Sequence, residues 1–339
     1  MSENDTTITE VTPNRISEIG WAFTQTRVLV AGVQLGVFDH IASGSHNAEQ
    51  IAAQAKASLR GMRMLLDALA ALGLLVKEGS SYRLSPESAK YLVHDSPTYI
   101  GSTWESDSLS HAWNQLTEVV HTGMPVWRVN EAQQGQSYFV SLIKRLHITN
   151  RAAACRLADL ILSERHGGGL KVLDVGCGSG VWSISLAERD ETIRVTAQDF
   201  PEVLETTRQY TVKHGVERQF DYLPGDLNEV ELGADHFDLV LLGNIVHSEG
   251  ERSSRAFFKR IVKALKANGQ LIIIDMIPND DRTGPLFPLL FGINMLVNTK
   301  EGGVYTFQEY QEWLTEAGFN RIEKLDIGLH SPAIRAEIR

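Results

Sequence analysis

One stretch, Lys171-Val-Leu-Asp-Val-Gly-Cys-Gly-Ser-Gly180, constrains this chain more than any other. It reads as a strand, Lys171–Val175, running through alternate glycines into a helix, Val181–Arg189. A glycine turn between strand and helix lets the backbone pass close to a ligand where a side chain would clash. A dinucleotide fingerprint would carry its third glycine at the position of Val181, and no Lys-Ser/Thr of a phosphate loop follows. Asp174, before the first glycine, would repel a pyrophosphate but suits an amino-acid ligand bearing a sulfonium. The turn therefore favours S-adenosylmethionine over NAD.

The sequence beyond the turn alternates strands and helices. Strand candidates are Lys171–Val175, Arg194–Gln198, Phe220–Pro224, Leu239–Leu242 and Leu271–Asp275; helix candidates are Val181–Arg189, Pro201–Gly215 and Ser253–Ala267. Near-continuous apolar runs such as Leu239-Val-Leu-Leu imply a parallel sheet covered on both faces, an α/β fold with ligands at the carboxyl ends of its strands. Asp199 ends the second strand, where a carboxylate accepts from ribose hydroxyls. Asp226, in Gly225-Asp-Leu, ends the third and is placed to accept from an adenine amino group, with Leu227 against the ring. Carboxylates that merely cap helices are the plain alternative, but three acidic strand ends in register argue against it. Gly176, Gly178, Phe200 and Asn244 complete the candidate cofactor set. His247 closes the fourth strand and Asp275 the next, so an imidazole and a carboxylate come within hydrogen-bond reach.

The first part of the chain is helical and apolar from Arg15 to about Tyr91, with a buried helix pair broken at Gly32 and Gly36. Asn47-Ala-Glu-Gln reads as a cap before a short helix, Glu49–Ala55. Ser58–Leu74 repeats Met62, Leu65, Leu66, Leu69 and Leu72 at helical spacing, and Leu74–Lys77 and Tyr82–Leu84 flank a hairpin turn. Helix, helix and hairpin describe a winged helix. Its second helix offers Arg60 and Arg63 on an otherwise apolar surface, opposed by Asp67, so a packing or dimerisation module is favoured over a DNA reader. Ser96–Gly168 is mainly helical and carries Trp104, Trp113, Trp127, Tyr138 and Phe139, which line a flat apolar ligand or form core. The division expected is a winged-helix dimerisation domain over 13–95, a connector over 96–168 and a cofactor-binding domain over 169–339.

A formal net charge of −10 argues against partners held by phosphate neutralisation, such as nucleic acid. Met1–Pro13 is polar, Thr-rich and acidic, unlike a secretory signal, and no run approaches the ~18 apolar residues of a membrane span. The two cysteines, Cys155 and Cys177, make no disulfide framework and lack metal-site spacing, which points to a reducing, cytoplasmic compartment.

The Asp-Val-Gly-x-Gly-x-Gly turn, Asp199-Phe-Pro, Gly225-Asp-Leu and Ile245-Val-His-Ser together resemble the plant-type small-molecule O-methyltransferases, which include caffeate and hydroxyindole enzymes. The resemblance covers nearly the whole chain. It implies a Rossmann-like class I methyltransferase domain behind an N-terminal winged-helix dimerisation domain, and a homodimer whose subunits help to close each other's active sites. It implies that Gly176, Asp199, Asp226 and Leu227 contact the cofactor. It also implies that His247 is the general base taking the proton of a substrate hydroxyl, a task its ordinary pKa near 6.5 suits. Asp275 stands where the family carries a Glu that orients this histidine. The chain departs from the family at Gly243, where a Lys is frequent, at Val304, where a second acid stands, and at His247-Ser248-Glu249, where the family reads His-Asp-Trp. Leu146-His-Ile-Thr-Asn150 is similar to the bacteriochlorophyllide C-methyltransferase branch; His147 either reaches the substrate or sits satisfied in the core. Phe291, Asn294 and Met295 are expected in the substrate wall. The reaction expected is methyl transfer to a hydroxyl of a small aromatic or conjugated molecule, with carbon or nitrogen methylation, a cofactor-sensing regulator and a dehydrogenase as alternatives. No metal ligand cluster is present, and direct displacement needs none.

Overall fold

The computed structural model describes residues 11–105, 108–126, 136–164 and 168–338, without the side chains of 108, 109 and 136–141. Of the aromatic residues in the connector, Trp127 and the side chains of Tyr138 and Phe139 lie outside the described residues. The chain divides into two compact units, Met1–Asp107 and Ser108–Arg339.

In the first unit, α1 (Asn14–Trp21), α2 (Phe23–Gln34), α3 (Val37–Ala42), α4 (Ala48–Gln54) and α5 (Leu59–Ala71) precede a hairpin of β1 (Leu75–Glu78) and β2 (Ser81–Leu84), and α6 (Pro86–Tyr91) follows. The expected winged-helix order is thus present. Asn47 and Gln50 cap α4 reciprocally, and Ser58 Oγ accepts from the Gly61 N–H at 3.1 Å to start α5. Met62, Leu66 and Leu69 then recur on one face and are buried against Phe38 and Ile51. Truncating Leu66 to Ala would cost about 2–5 kcal/mol, the usual range for a core leucine. Gly36 breaks the helices as expected, but Gly32 does not. It lies inside α2, where an added Cβ would sit 3.1 Å from Leu69, so its lack of a side chain permits close packing on α5. Two charges of α5 are engaged within the unit: Arg63 pairs with Glu49, and Asp67 with Lys77.

The second unit begins with α7 (Ser108–Trp113), α8 (Leu116–Thr122) and α9 (Gln136–Ser163). There follow β3 (Lys171–Val175), α10 (Val181–Ala187), β4 (Arg194–Asp199), α11 (Pro201–Lys213), β5 (Phe220–Pro224), β6 (Phe237–Gly243), α12 (Val246–Ala264) and β7 (Leu265–Ile274). The chain ends with α13 (Leu286–Asn298), α14 (Phe307–Ala317), β8 (Arg321–Leu325) and β9 (Ala333–Glu337). The seven strands lie in the order β5-β4-β3-β6-β7-β9-β8. Five are parallel, but β9 runs antiparallel to both β7 and β8, so the sheet is mixed. The sequence reading missed this edge because β8 and β9 are short and charged; Arg335 hides in β9 only by pairing with Glu323 and Glu164. The helix expected over Ser253–Ala267 gives way to β7 already at Leu265.

The strand order reverses between β3 and β6. A ligand crevice in such sheets opens at that reversal, beyond the carboxyl ends of the strands. Both candidate constellations read from the sequence lie on segments that leave those ends.

Candidate active site

The glycine turn leaves β3 with its backbone N–H groups held from β4. Gly176 adopts φ +57°, and an added Cβ would lie 2.2 Å from Ile245 Cδ1, so no other residue fits without displacement. Its N–H donates to Gln198 Oε1 at 3.3 Å, while Gln198 Nε2 donates to the Gly225 carbonyl at 2.7 Å. The buried amide of Gln198 therefore ties the ends of β3, β4 and β5 together, a role the sequence reading overlooked. Gly178 N–H donates to Asp199 Oδ2 at 2.9 Å, and Phe200 N–H to Asp199 Oδ1 at 2.8 Å.

Every residue of α10 is buried, so its serines must find partners within the protein. Ser183 Oγ donates to Asp174 Oδ2 at 2.5 Å. Asp174 Oδ1 is buried and has no partner among the described residues, which is costly for a carboxylate unless a further donor completes it. Burial, with the nearby Asp199 charge adding to it, pushes the Asp174 carboxyl up to about 7. Burial likewise raises Asp199 to about 6, against the two backbone bonds that favour its charge. At the third strand end, Asp226 Oδ1 accepts from the Asn228 N–H at 2.8 Å, and Arg260 holds the carbonyls of Leu227 and Val230. Asn244, at φ +62°, donates its N–H to the Ile274 carbonyl.

A second constellation follows directly. His247 comes two residues after Ile245, which covers Gly176, so the two Cα atoms lie within about 7 Å. His247 does not close β6, as the sequence suggested; it lies in the first turn of α12, beyond the strand's end at Gly243. That turn is set off at Gly250, whose φ 79°, ψ 165° leaves the helix and whose added Cβ would meet the Glu301 carbonyl at 2.8 Å. Gly303 N–H donates to the His247 carbonyl at 2.8 Å, so the 299–303 loop clamps the turn.

The imidazole and Asp275 meet. His247 Nδ1 lies 2.6 Å from Asp275 Oδ1, and His247 N–H donates to Oδ2 at 3.1 Å. The Met276 N–H donates to Oδ1 at 2.7 Å, and Tyr310 hydroxyl reaches Oδ2 at 3.5 Å. Asp275 is 4 % exposed and His247 8 %. The Phe291 ring meets the imidazole edge-on, with centroids 4.9 Å apart. On the same face of α13, Asn294 Oδ1 accepts from the Trp113 indole at 3.2 Å and from Asn298 Nδ2 at 3.1 Å. Met295 is buried in the same helix. Val304 packs beside Gly292, so an aliphatic side chain stands where a second acid was missed. Among the described residues, no cluster of His, Cys, Asp or Glu is placed to hold a metal ion, and no helix is long and apolar enough to cross a membrane.

Comparison with known proteins shows the family. Residues 113–320 match the family model of the O-methyltransferase domain, and residues 19–94 match that of the O-methyltransferase dimerisation domain. The chain belongs to this O-methyltransferase family. It is 29 % identical over 320 residues to 3-hydroxy-5-methyl-1-naphthoate 3-O-methyltransferase of Streptomyces sahachiroi, covering 91 % of this chain and 90 % of that one. It is 28 % identical to the human acetylserotonin O-methyltransferase, covering 93 % and 94 %. Among solved structures, human N-acetylserotonin methyltransferase in complex with S-adenosylmethionine superposes with a TM-score of 0.82 at 26 % identity, covering 98 % of this chain and 99 % of that one. An O-methyltransferase fold from Nostoc punctiforme gives 0.85 at 28 %, covering 97 % and 100 %. The protein is an S-adenosylmethionine-dependent methyltransferase.

The donor set of this methyltransferase fits that cofactor. The orphaned oxygen of Asp174 is of the kind an ammonium completes, and the side-chain-free backbone at Gly176 leaves room for a ligand's approach. His147, on α9, is buried with both ring nitrogens partnered inside the methyltransferase chain: Nδ1 is 3.0 Å from Ser179 Oγ and Nε2 is 3.2 Å from His214 Nε2. Gln198, Ser183, Tyr310, the close approach at Gly250 and the Gly303 N–H bond to His247 escaped the sequence reading. Gln198 and Ser183 had a signal, since each is polar within an otherwise buried run.

Proposed function

We propose that this chain transfers the methyl group of S-adenosylmethionine to a hydroxyl of a small aromatic or conjugated molecule, with His247 as general base oriented by Asp275. The contact of 2.6 Å between His247 Nδ1 and Asp275 Oδ1 carries the reading. A carboxylate only accepts, so the Nδ1 proton faces Asp275 and the lone pair of Nε2 is left for a substrate. When the hydroxyl proton passes to Nε2, the imidazolium is stabilised by the same carboxylate. Four donors converge on Asp275, which fixes its angle and hence the ring's. When bound, the cofactor supplies a methyl group on a sulfonium, a leaving group that departs as a neutral thioether.

In this reading Asp174, with its free oxygen, and the backbone of Gly176 and Gly178 hold the amino-acid part. Asp199 and Phe200 serve the ribose, Asp226 and Leu227 the adenine, and Asn244 closes the turn. Phe291, Met295 and Asn294 wall the substrate, Phe291 by its edge contact with His247. The relatives named for a hydroxynaphthoate and for acetylserotonin both support an aromatic acceptor. A homodimer is supported by the dimerisation-domain match over 19–94 and by an exposed apolar row, Ile16, Ile19, Trp21 and Phe23, each at least 65 % exposed. The division into a dimerisation domain over 13–95, a connector over 96–168 and a catalytic domain over 169–339, acting in the cytoplasm, completes the proposal.

A second reading, carbon methylation akin to the bacteriochlorophyllide branch, draws on Val304, which leaves His247 with one carboxylate partner. A labelled-methyl screen over phenols, naphthols, hydroxyindoles and tetrapyrroles, with NMR of the product, decides between them. A new O–CH3 resonance supports the first reading, and a C–CH3 resonance overturns it.

A further inference from the structure

Behind the glycine turn, three elements of the second unit bring together a row of polar groups that methyl transfer does not use. Arg151 on α9 pairs with Glu188 at the end of α10, and Arg151 also donates to Ser185 Oγ at 2.7 Å. Glu188 Oε1 lies 2.7 Å from His214 Nδ1 at the end of α11. His214 Nε2 lies 3.2 Å from His147 Nε2, and His147 Nδ1 lies 3.0 Å from Ser179 Oγ, inside the turn. Tyr210 stacks on His147 with centroids 3.9 Å apart, and Lys213 stands beside it on α11. His214 is half-buried and in reach of water, whereas His147 and Ser179 are buried.

Hydrogen-bond logic gives the row a direction. Burial opposes it, but the bonds from Arg151 and His214 hold the Glu188 carboxyl below its ordinary value, so it is an acceptor only. The Nδ1 of His214 must then carry a proton, and in the neutral ring Nε2 accepts. His147 therefore donates from Nε2, accepts at Nδ1, and receives the hydroxyl hydrogen of Ser179. If His214 gains a proton, its Nε2 becomes a donor. His147 stays neutral, because burial and the charges of His214, Arg151 and Lys213 hold its pKa down to about 3. Its tautomer must reverse: Nε2 accepts, Nδ1–H donates to Ser179 Oγ, and the Ser179 hydrogen turns back into the glycine turn. One proton is gained at His214, none is lost elsewhere, and the His147 ring only exchanges which nitrogen carries its hydrogen.

We propose that His147 and His214 are positioning residues that set the direction of the Ser179 hydroxyl in the cofactor turn and so couple cofactor affinity to proton uptake at the surface. The affinity arm rests on the reading that this turn holds S-adenosylmethionine; the tautomer arm does not. Asp174 and Asp199 make the turn electronegative, so an accepting Ser179 suits a cationic ligand group and a donating one opposes it. Protonation of His214 thus weakens binding.

The test uses the full-length protein. In its ligand-free form, imidazole nitrogen NMR between about pH 8 and about pH 5 follows the His147 tautomer. The Nε2–H form at high pH is expected to convert to Nδ1–H on acidification. His214→Gln, whose amide can donate to Glu188 and accept from His147 without titrating, is expected to hold the Nε2–H form throughout. Calorimetry with S-adenosylhomocysteine over the same range is expected to show, beside the fall that Asp174 itself brings, a step of about 3- to 10-fold that His214→Gln and Ser179→Ala both remove while the Asp174 part stays, Ser179→Ala keeping the tautomer change. A His147 tautomer that ignores pH in the wild type, or that still reverses in folded His214→Gln, overturns the relay. A reversal with no affinity step that Ser179→Ala removes overturns the coupling. Absence of any S-adenosylhomocysteine binding would instead strike at the assignment of the turn.

Discussion

The glycine turn and the His247 corner adjoin in space, Ile245 lying over Gly176, but are built from different material. The turn is backbone: amide groups of Gly176, Gly178 and Phe200 answered by Gln198 and Asp199 on the neighbouring strand. The corner is side chain: an imidazole from the first turn of α12, a carboxylate beyond β7 and an aromatic edge from α13. A backbone site tolerates exchange of many side chains but no change in chain path. A side-chain site fails by loss of a single group while the path persists. Binding and chemistry are therefore separable by mutation.

The largest separation is expected at His247. His247→Ala should lower kcat by about 10²–10⁴ while the affinity for S-adenosylhomocysteine, measured by calorimetry, stays within about twofold. Asp275→Asn should fall between, losing about 10–10³, because an amide presents a donor to one of the N–H groups that the carboxylate now accepts. An unchanged rate in His247→Ala would remove the general base and with it the contrast.

The reverse pattern is expected at Gly176. Gly176→Ala sets a Cβ against Ile245 at φ +57°, and left-handed backbone alone costs a non-glycine residue about 1–2 kcal/mol. Affinity for S-adenosylhomocysteine should fall about tenfold or more. Adding Ile245→Ala should recover the part due to the clash and leave the part due to φ. Wild-type affinity in the single variant would show that the turn is not held by its backbone path.

Proton dependence gives a smaller but directional test. The Asp174 carboxyl of the free protein is raised to about 7 by burial, so part of it is protonated at neutral pH. An ammonium beside its free oxygen favours the ionised form and lowers the pKa in the complex. Affinity should be greatest above that value and fall as pH drops through it, by up to about tenfold per unit, with a proton released on binding. Isothermal titration in buffers of different ionisation enthalpy reads that proton. Asp174→Asn should bind weakly and lose the Asp174 part of that release, and proton release unchanged in this variant would move the linkage to another group.

How far each region could be read from the sequence follows from the same contrast. The turn was legible because local sequence makes it: strand, alternate glycines and helix are contiguous, Asp199 ends its strand and Asp226 stands two residues past the next. The corner was legible only as a pair, His247 and Asp275, since both lie just past recognisable strands. Its clamp was not, because Gly250, Gly303 and Tyr310 come from segments that meet only in three dimensions. The antiparallel edge failed for a related reason: Arg335 looks like a surface residue until Glu323 and Glu164 are brought to it. His147 shows the limit most clearly. A histidine on a helix before a nucleotide-type fold suggests a pocket, and only the positions of Ser179 and His214 reveal that its nitrogens are engaged.

The smallest effect is expected at the outer edge of the corner. Trp113 on α7 donates its indole N–H to Asn294, but Asn298 donates to the same oxygen, so loss of the indole leaves the acceptor satisfied. Trp113→Phe should therefore cost no more than about 0.5–1.5 kcal/mol, seen as a rise in substrate KM of about 2- to 12-fold. Neither kcat nor the affinity for S-adenosylhomocysteine should move, because Asn294 is one helical turn from Phe291 and takes no part in the glycine turn. If S-adenosylhomocysteine affinity fell as far as KM rose, the packing of α7 on α13 would be supporting both regions at once. The division between a backbone site and a side-chain site would then end at α13.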